Sequence, residues 1–326
     1  MMKKSFSVSL FYLKTDVGKL MANIVSGVVR NKEKRHRLRN RLDPLNPDRC
    51  VRYLSAHYAL APATGRLMPS PATGRATQTA AAGEHQGTLG FEPIWMCWLQ
   101  GLEQAPQLVV NCVESVRRHA CEGQQVIVLT AQNYGQYAAL PQVMVDKWQR
   151  GIITNTHFSD LIRIYALARY GGYWIDATCL QTGDVPAWVA EEKLFLLHSH
   201  GEFSYTLIQS CFIRCLPGDY VLRRWCEAME VYWQREHRLI HYFTLHLMFI
   251  ALLRSDAAFR EEYGKMPVVS DEPMHRLLRS IVEGKPYRQE LMEEAAEGAF
   301  FQKLTYKFPK ELLDNPDSFA SVLSRA

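Results

Sequence analysis

The strongest constraint on the fold is one segment, residues 156–178, in which a helical pattern changes to a strand pattern across two adjacent glycines. Apolar residues recur every three or four positions from Leu161 to Ala168, which predicts a helix with one buried face. Gly171-Gly172 should end this helix, because glycine readily adopts the left-handed conformation found at helix C-termini. The next residues, 173–175, are a short apolar strand. The segment therefore specifies a helix, a stop and a buried strand in that order.

The same alternation occurs earlier in the chain. Residues 93–98 and 125–130 are short apolar runs typical of buried strands, and residues 105–119 between them have helical spacing. A strand, a helix and a strand in this order predict an α/β fold with a parallel sheet. Beyond Pro217 we expect mainly helices, over 221–234 and 239–253, and a last strand over 300–306.

Composition excludes several classes of protein. Of the 326 residues, 48% are hydrophobic and 22% are charged, as in an ordinary soluble globular protein. No apolar run approaches the roughly 18 residues of a membrane-spanning helix. The 8 cysteines are scattered and form no C-x-x-C pair. This pattern favours a reduced, cytoplasmic protein without a zinc site.

The net charge of +5 originates from one short run, residues 30–41, which holds seven basic residues and one acidic residue. The run contains no aromatic residues and the rest of the chain is nearly neutral, so we expect no nucleic-acid partner. An amphipathic stripe from Leu10 to Val28 precedes the run. Such a helix could dock on an anionic membrane surface, or it could pack on the protein's own body with a solvated basic tail.

These patterns predict three regions. Residues 1–58 form the basic amphipathic N-terminal region. Residues 59–90 are rich in Ala, Thr, Gly, Pro and Ser and contain a repeated Pro-Ala-Thr-Gly-Arg, which predicts a flexible linker. Residues 91–326 carry the α/β pattern and form the folded domain.

Polar residues in the segment 156–178 point to a site. Ser159 is a good N-cap residue, and Asp160 would then lie in the first turn, where its charge complements the positive helix end. Arg163, three residues later, projects from the same helix face as Asp160. Asp176 follows the strand, at the sheet edge where α/β proteins bind ligands. A surface ion pair and a turn-forming aspartate are the alternative interpretations.

Taken together, the sequence S-D-x-x-R followed by G-G-x-W-x-D-A-T resembles the hallmark of sugar-nucleotide-dependent glycosyltransferases. More narrowly, it resembles the capsular polysaccharide synthesis protein family, over residues 91–308. The resemblance implies a GT-A-type Rossmann-like sheet that binds a nucleotide-sugar, with a helical C-terminal part. The partners it implies are a nucleotide-sugar donor and a polysaccharide or lipid-linked glycan acceptor, and transfer would proceed with retention.

The resemblance also implies residue roles. Asp176 would be the catalytic residue, as the first carboxylate of a D-x-D element that can hold Mn²⁺ or Mg²⁺. Thr178 stands at the second carboxylate position, and a hydroxyl is a poorer metal ligand than a carboxylate. Either the enzyme does not depend on a metal, or Asp176, the diphosphate and water hold the ion.

The remaining implied positions surround the donor. Trp98 and Gly101 would border the nucleotide, while Asp160 and Arg163 would hold the sugar and its phosphates. Lys303 and Lys307 would supply positive charge, or would be ordinary solvated lysines. The full set of implied donor-binding residues is Trp98, Gly101, Ser159, Asp160, Arg163, Gly171, Gly172, Trp174, Thr178, Lys303 and Lys307.

The sequence thus predicts a cytoplasmic glycosyltransferase, held peripherally at the inner face of the cell membrane by its N-terminus. The alternative is a non-catalytic sugar-nucleotide-binding scaffold subunit of a polysaccharide assembly complex. Three aromatic residues, Trp225, Tyr232 and Trp233, belong either to the acceptor side or to the core. The histidines, including His246, match no zinc motif.

Overall fold

The structure, a computed structural model, describes residues 46–59 and 89–325. A central five-stranded sheet has the strand order β2-β1-β3-β6-β5, and a separate two-stranded sheet pairs β4 with β7. The strands are β1 (Glu92–Cys97), β2 (Gln124–Leu129), β3 (Gly172–Ile175), β4 (Cys179–Gln181), β5 (Leu194–His198), β6 (Ile208–Cys215) and β7 (Phe301–Lys303).

The helices of the described residues surround these sheets. Three short 3-10 helices, Leu102–Gln104, Gly201–Thr206 and Glu272–His275, lie in connections. The α-helices are α1 (Pro47–His57), α2 (Gln107–Arg118), α3 (Tyr134–Tyr137), α4 (Gln142–Gln149), α5 (Asn155–Tyr170), α6 (Ala187–Glu191), α7 (Tyr220–Arg235), α8 (Thr244–Ser255), α9 (Ala257–Tyr263), α10 (Arg276–Val282), α11 (Gln289–Ala296), α12 (Lys310–Asp314) and α13 (Phe319–Leu323).

The α/β fold class is confirmed, but the expectation of a parallel sheet is only half right. Strand β1 pairs in parallel with β2 and β3, whereas β6 is antiparallel to both β3 and β5. The predicted strand over 300–306 contains only the three residues of β7, which pair with β4 outside the central sheet. The helix predicted over 239–253 begins at Thr244, because His241 to Phe243 form a turn bonded to the Thr244 hydroxyl.

Helices and the small two-stranded sheet cover both faces of the central sheet. Along β1, Trp95 and Cys97 face one hydrophobic core, while Ile94 and Met96 face another. This alternation is the two-residue period of a strand buried on both sides. The first core includes α5, α7 and α8, and its aromatic residues Trp225, Tyr232 and Trp233 are fully buried. These three residues therefore belong to the core and not to an acceptor surface.

Helix α1 packs against α8 and is tied to the end of α7. The hydroxyl groups of Tyr53 and Tyr58 both donate to the buried carboxylate of Glu236, at 2.8 Å for Tyr53. The part of the predicted N-terminal region that the structure describes is thus part of the folded body. The amphipathic stripe from Leu10 to Val28, the basic run and residues 60–88 of the predicted linker lie outside the described residues.

Within the described ranges, no helix is long and apolar enough to cross a membrane. Of the eight cysteines, only Cys121 is exposed and the other seven are buried. Seven of them therefore act as small apolar core residues.

Candidate functional site

The polar residues singled out in the sequence meet at one edge of the central sheet. Because β1 and β3 are parallel neighbours, their carboxyl ends lie side by side, and Asp176 follows β3 there. The two-stranded sheet of β4 and β7 lies at the same edge. Its register pairs Cys179 with Lys303, which brings the lysine beside Asp176 although 127 residues separate them in the chain.

The Asp176 carboxylate accepts hydrogen bonds on both oxygens. Its Oδ1 atom accepts from Arg163 Nη2 at 2.9 Å and from Trp174 Nε1 at 2.8 Å. Its Oδ2 atom accepts from Lys303 Nζ at 2.9 Å, and the same ammonium donates to Thr178 Oγ1 at 2.7 Å. The side chains of Asp176 and Lys303 are 23% and 22% exposed, so solvent and ligands can reach both.

The charges of this cluster reinforce one another. Burial alone would raise the pKa of the Asp176 carboxyl, but Lys303 and Arg163 outweigh it and hold that pKa well below its usual range. Burial alone would lower the pKa of the Lys303 ammonium, but Asp176 raises it above its ordinary value. Both groups are therefore charged at neutral pH, and their positions are fixed before any ligand binds.

Arg163 is the buried centre of the cluster. Its guanidinium contacts Asp160 at 3.2 Å, Asp176 at 2.9 Å and the Ser210 hydroxyl, and it lies 4.9 Å from the Trp174 ring centre. Only 6% of the Arg163 side chain is exposed. The predicted contact between Arg163 and donor phosphates stays a prediction, since in this structure the guanidinium holds the two aspartates in place.

The helix that carries Arg163 begins earlier than the sequence suggested. Its N-cap is Thr154, whose hydroxyl accepts from the His157 backbone N–H at 3.3 Å. The prediction of Ser159 as N-cap is therefore wrong, and Asp160 lies in the second turn. Ser159 lies near the Cys97 thiol at the end of β1, and burial raises the pKa of that thiol to about 11.

Gly171 and Gly172 were expected to be donor-binding residues, but the structure does not bring them to the cluster around Asp176. Gly171 caps the C-terminus of α5 and Gly172 begins β3, so Gly172 lies about 13 Å from Asp176, at the opposite sheet edge. Gly172 has φ 83°, and a Cβ there would meet the Pro93 carbonyl oxygen at 2.1 Å. These glycines let the chain pass close to its neighbours. Trp174 is likewise buried, and it acts on the site through its hydrogen bond to Asp176.

Trp98 and Gly101 follow β1 at the same edge as Asp176. The ring of Trp98 meets Tyr306 edge-to-face at 5.2 Å, and its indole N–H has no hydrogen-bond partner within the described residues. The ammonium of Lys307 lies 5.4 Å from the centre of the exposed Tyr306 ring. Tyr306 was missed in the sequence, because only the fold of the C-terminal segment brings it to Trp98.

Two histidines, His157 and His246, also adjoin the cluster and were not identified from the sequence. His157 Nε2 accepts from the Trp233 indole at 3.2 Å, so its proton lies on Nδ1, which is 3.6 Å from Asp160 Oδ2. Burial lowers the pKa of His246 to about 4, with Asp160 opposing this shift. His157 does have a local signal, since it precedes Asp160 by three residues on α5. No sequence spacing could have revealed His246, which comes from α8, far along the chain.

The side chains around Asp176 do not fit the divalent cation that the sequence resemblance implies. Both carboxylate oxygens already bind positively charged or N–H groups, and the Thr178 hydroxyl binds the Lys303 ammonium. Mg²⁺ and Mn²⁺ favour several oxygen ligands. Across the described parts of the chain, no three His, Cys, Asp or Glu side chains are grouped to hold a metal.

A family model described as capsular polysaccharide synthesis protein matches residues 73–323, well over half of the chain. The match includes every residue of the cluster around Asp176. No curated protein matches the chain.

Proposed function

The chain belongs to the capsular polysaccharide synthesis protein family, and from this premise we propose that it is a glycosyltransferase. Its donor is a nucleotide-sugar. Its acceptor is a growing capsular or other surface polysaccharide, or a lipid-linked glycan. The family accounts for a role in capsular polysaccharide synthesis, and the chemistry of the site supports the more specific activity.

One observation carries the proposal: a fixed carboxylate and a fixed ammonium, Asp176 and Lys303, lie 2.9 Å apart and partly exposed at the carboxyl edge of parallel strands. Glycosyl transfer from a nucleotide-sugar must stabilise a departing diphosphate beside an electron-poor sugar carbon. An ammonium suits the diphosphate, and a carboxylate suits the hydroxyl groups or the developing positive charge of the sugar. The two groups meet both needs at one place.

The donor would extend along the sheet edge. Two of the three N–H groups of Lys303 donate to Asp176 and Thr178 within the described structure, so the third can donate to a phosphate. The faces of Trp98 and Tyr306 suit the nucleotide base, since every base offers a flat face for stacking. Lys307 beside Tyr306 would add positive charge near the same phosphates.

The proposed step breaks the bond between the anomeric carbon and the diphosphate oxygen and forms a bond from that carbon to an acceptor hydroxyl oxygen. The two nearby carboxylates, Asp160 and Asp176, are paired with cations, which makes them poor nucleophiles. Retention is therefore best served by attack on the face from which the diphosphate leaves. The acceptor proton passes to the departing diphosphate oxygen.

The acceptor would approach past an aromatic surface formed by Phe203, Tyr205, Tyr242 and Phe243. The loop between β5 and β6, which holds Phe203 and Tyr205, lies at the same sheet edge as Asp176, because β5 runs in the direction of β3. Both aromatic rings lie 5.8 Å from Phe243, and Tyr242 is 69% exposed. Flat aromatic faces beside a transfer site suit the apolar faces of sugar rings.

A membrane-bound acceptor would agree with the composition of the N-terminus. The stripe from Leu10 to Val28 and the basic run 30–41 would bind an anionic bilayer surface at the cytoplasmic face. Removing residues 1–45 tests this without removing α1, which packs in the body. The full chain should sediment with anionic vesicles at low salt and the shortened chain should not. Absence of vesicle binding by the full chain would refute the membrane contact.

The activity is tested by incubating the protein with a panel of nucleotide-sugars and an acceptor glycan extract. We expect one donor to give a nucleoside diphosphate and an extended glycan, both measured by mass spectrometry. Retention is checked by NMR of the new linkage. Binding of a donor without any turnover would favour the scaffold alternative, for which the hydroxyl of Thr178 in place of a carboxylate is the supporting observation.

A further inference from the structure

Lys303 lies where its ammonium can supply the positive charge that a metal ion would otherwise supply. Its ammonium bridges Asp176 Oδ2 at 2.9 Å and Thr178 Oγ1 at 2.7 Å, the first and third side chains of the D-A-T sequence. These are the two positions that a cation bound to a D-x-D element would contact. The single positive charge on the ammonium lies between them, as part of the protein.

Several features hold the ammonium in this position. The antiparallel pairing of β4 with β7 sets Lys303 opposite Cys179, the residue after Thr178. The Leu304 backbone N–H donates to the Thr178 carbonyl oxygen at 2.8 Å, which fixes the next residue as well. Because the backbone on both sides of the contact is hydrogen-bonded, the lysine loses little further conformational freedom when it binds an anion.

The charges of the cluster are balanced without a metal cation. Asp160 and Asp176 are balanced by Arg163 and Lys303, through contacts of 3.2 Å or less. A divalent ion at Asp176 would lie beside two fixed positive charges and would have to displace at least one of them. A diphosphate, by contrast, would meet the partly exposed Lys303 side chain, and its negative charge is complementary to the ammonium.

We propose that this protein binds its nucleotide-sugar donor without a divalent cation, and that the Lys303 ammonium takes the place of the ion at the diphosphate. The inference rests on the proposed function, since it assigns how the donor is held in that same site. It predicts that cation removal leaves donor binding intact. Loss of the Lys303 ammonium weakens donor binding.

The test measures binding of UDP, GDP, ADP and dTDP to the full chain by isothermal titration calorimetry, in EDTA and in Mn²⁺. We expect the nucleotide that binds to have the same Kd under both conditions. Lys303→Met should weaken it by at least about tenfold, because a charge-assisted hydrogen bond to phosphate is lost. Lys303→Arg, which keeps the charge, should retain part of the affinity. Lys310→Met, at an exposed lysine that begins α12, is the matched control and should bind as the unmodified protein does.

Electron paramagnetic resonance of Mn²⁺ with the unmodified protein and the same nucleotides covers the case in which Lys303→Met does not fold. We expect no protein-bound Mn²⁺ beyond that bound by the nucleotide alone. Binding that disappears in EDTA and returns with Mn²⁺ would overturn the inference and leave the proposed function standing. If none of the nucleotides or their sugar derivatives binds under either condition, the proposed function itself fails.

Discussion

Two groups of charged side chains in this molecule have similar composition and different surroundings. At the sheet edge, Asp160, Arg163, Asp176 and Lys303 come from α5, the end of β3 and β7. In the helical layer, Arg224 of α7 binds Asp256 at 2.9 Å and also binds Glu227. We call the first group the edge cluster and the second the Arg224 cluster.

The two clusters differ in exposure and in what each charged group connects. Arg224 and Asp256 are 4% and 6% exposed, and Asp256 also caps α9 by accepting from the Phe259 backbone N–H at 3.1 Å. The Arg224 cluster therefore ties consecutive helices together. In the edge cluster the two residues that lie outside α5, Asp176 and Lys303, are the most exposed. An ion pair points to function when it lies where a ligand can reach it and where separate elements converge.

The largest expected effect comes from Asp176→Asn, which removes the negative charge and keeps the size of the side chain. Transfer should fall by roughly 10²–10³-fold, as when other fixed charges or donors are removed from a reacting centre. Some stability should be lost as well, because Arg163 and Lys303 lose a shared partner. Initial rates with the cognate donor, corrected for the folded fraction, measure the effect. An unchanged rate would make Asp176 a structural residue like Asp256.

The matched change in the other cluster is Asp256→Asn. Asparagine can still cap α9, but Arg224 loses a buried ionic partner, so unfolding should become easier by about 3 kcal/mol. Activity per folded molecule should not change, since Arg224 and Asp256 do not lie at the sheet edge. Urea unfolding followed by circular dichroism gives the stability, and the transfer assay gives the activity. A specific loss of transfer here would break the distinction between the two clusters.

A backbone change tests whether the sheet frame supports the edge cluster from a distance. Gly172→Ala would place a Cβ 2.1 Å from the Pro93 carbonyl oxygen, which forces β3 away from β1. We expect the free energy of unfolding to fall by about 2–3 kcal/mol, because overpacking and the positive φ both destabilise the variant. Gly123→Ala is the control, because Gly123 has φ 82° and no atom within 4 Å of the new Cβ. Gly123→Ala should lower the free energy of unfolding by about 1 kcal/mol. Equal losses would mean that φ alone, and not the close approach, makes Gly172 necessary.

The pH dependence of stability should show a contribution from His246, which is buried near the edge cluster, in addition to ordinary acid denaturation. Burial lowers the pKa of His246 to about 4, beside Asp160, Arg163, Asp176 and His157. As the pH falls, His246 is therefore protonated in the unfolded chain before it is protonated in the folded protein. Stability that is present above about pH 6.5 is lost as the pH falls toward 4. Between about pH 7 and 5 the loss should be about 2 kcal/mol. His246→Gln should flatten this slope. The depressed pKa values of Asp160 and Asp176 act at lower pH, so they do not explain a slope above about pH 5.

The smallest effect concerns the aromatic surface of Phe203, Tyr205, Tyr242 and Phe243, which lies at the same sheet edge as the edge cluster. Tyr242→Ala should raise the KM for acceptor about fivefold, for a contact of about 1 kcal/mol, and leave donor affinity unchanged. Trp188→Ala is the control, because this exposed residue lies on α6, before β5, at the opposite sheet edge. Steady-state kinetics with varied acceptor measures both. Equal effects of the two changes would remove the aromatic surface from the acceptor path.

The sequence alone determined the local elements with strong patterns. The helix up to Tyr170, the stop at Gly171, the strand over 173–175 and the position of Asp176 after it are all confirmed. Each follows from short-range physics, namely apolar periodicity and the conformational freedom of glycine. The family also followed from this segment, because its polar residues keep fixed spacings within it.

Tertiary structure decided everything that depends on contacts distant in sequence. The N-cap of α5 is a local exception, since Thr154, and not Ser159, accepts from the His157 backbone N–H three residues later. The two glycines looked like ligand residues, although the pairing of β3 places them at the far edge. The contact between Lys303 and Asp176 exists because β7 pairs with β4 across 120 residues, and the register of such a pairing leaves no periodic trace in the sequence. Local pattern fixes which groups a chain carries, while only the packed sheet fixes which of them meet.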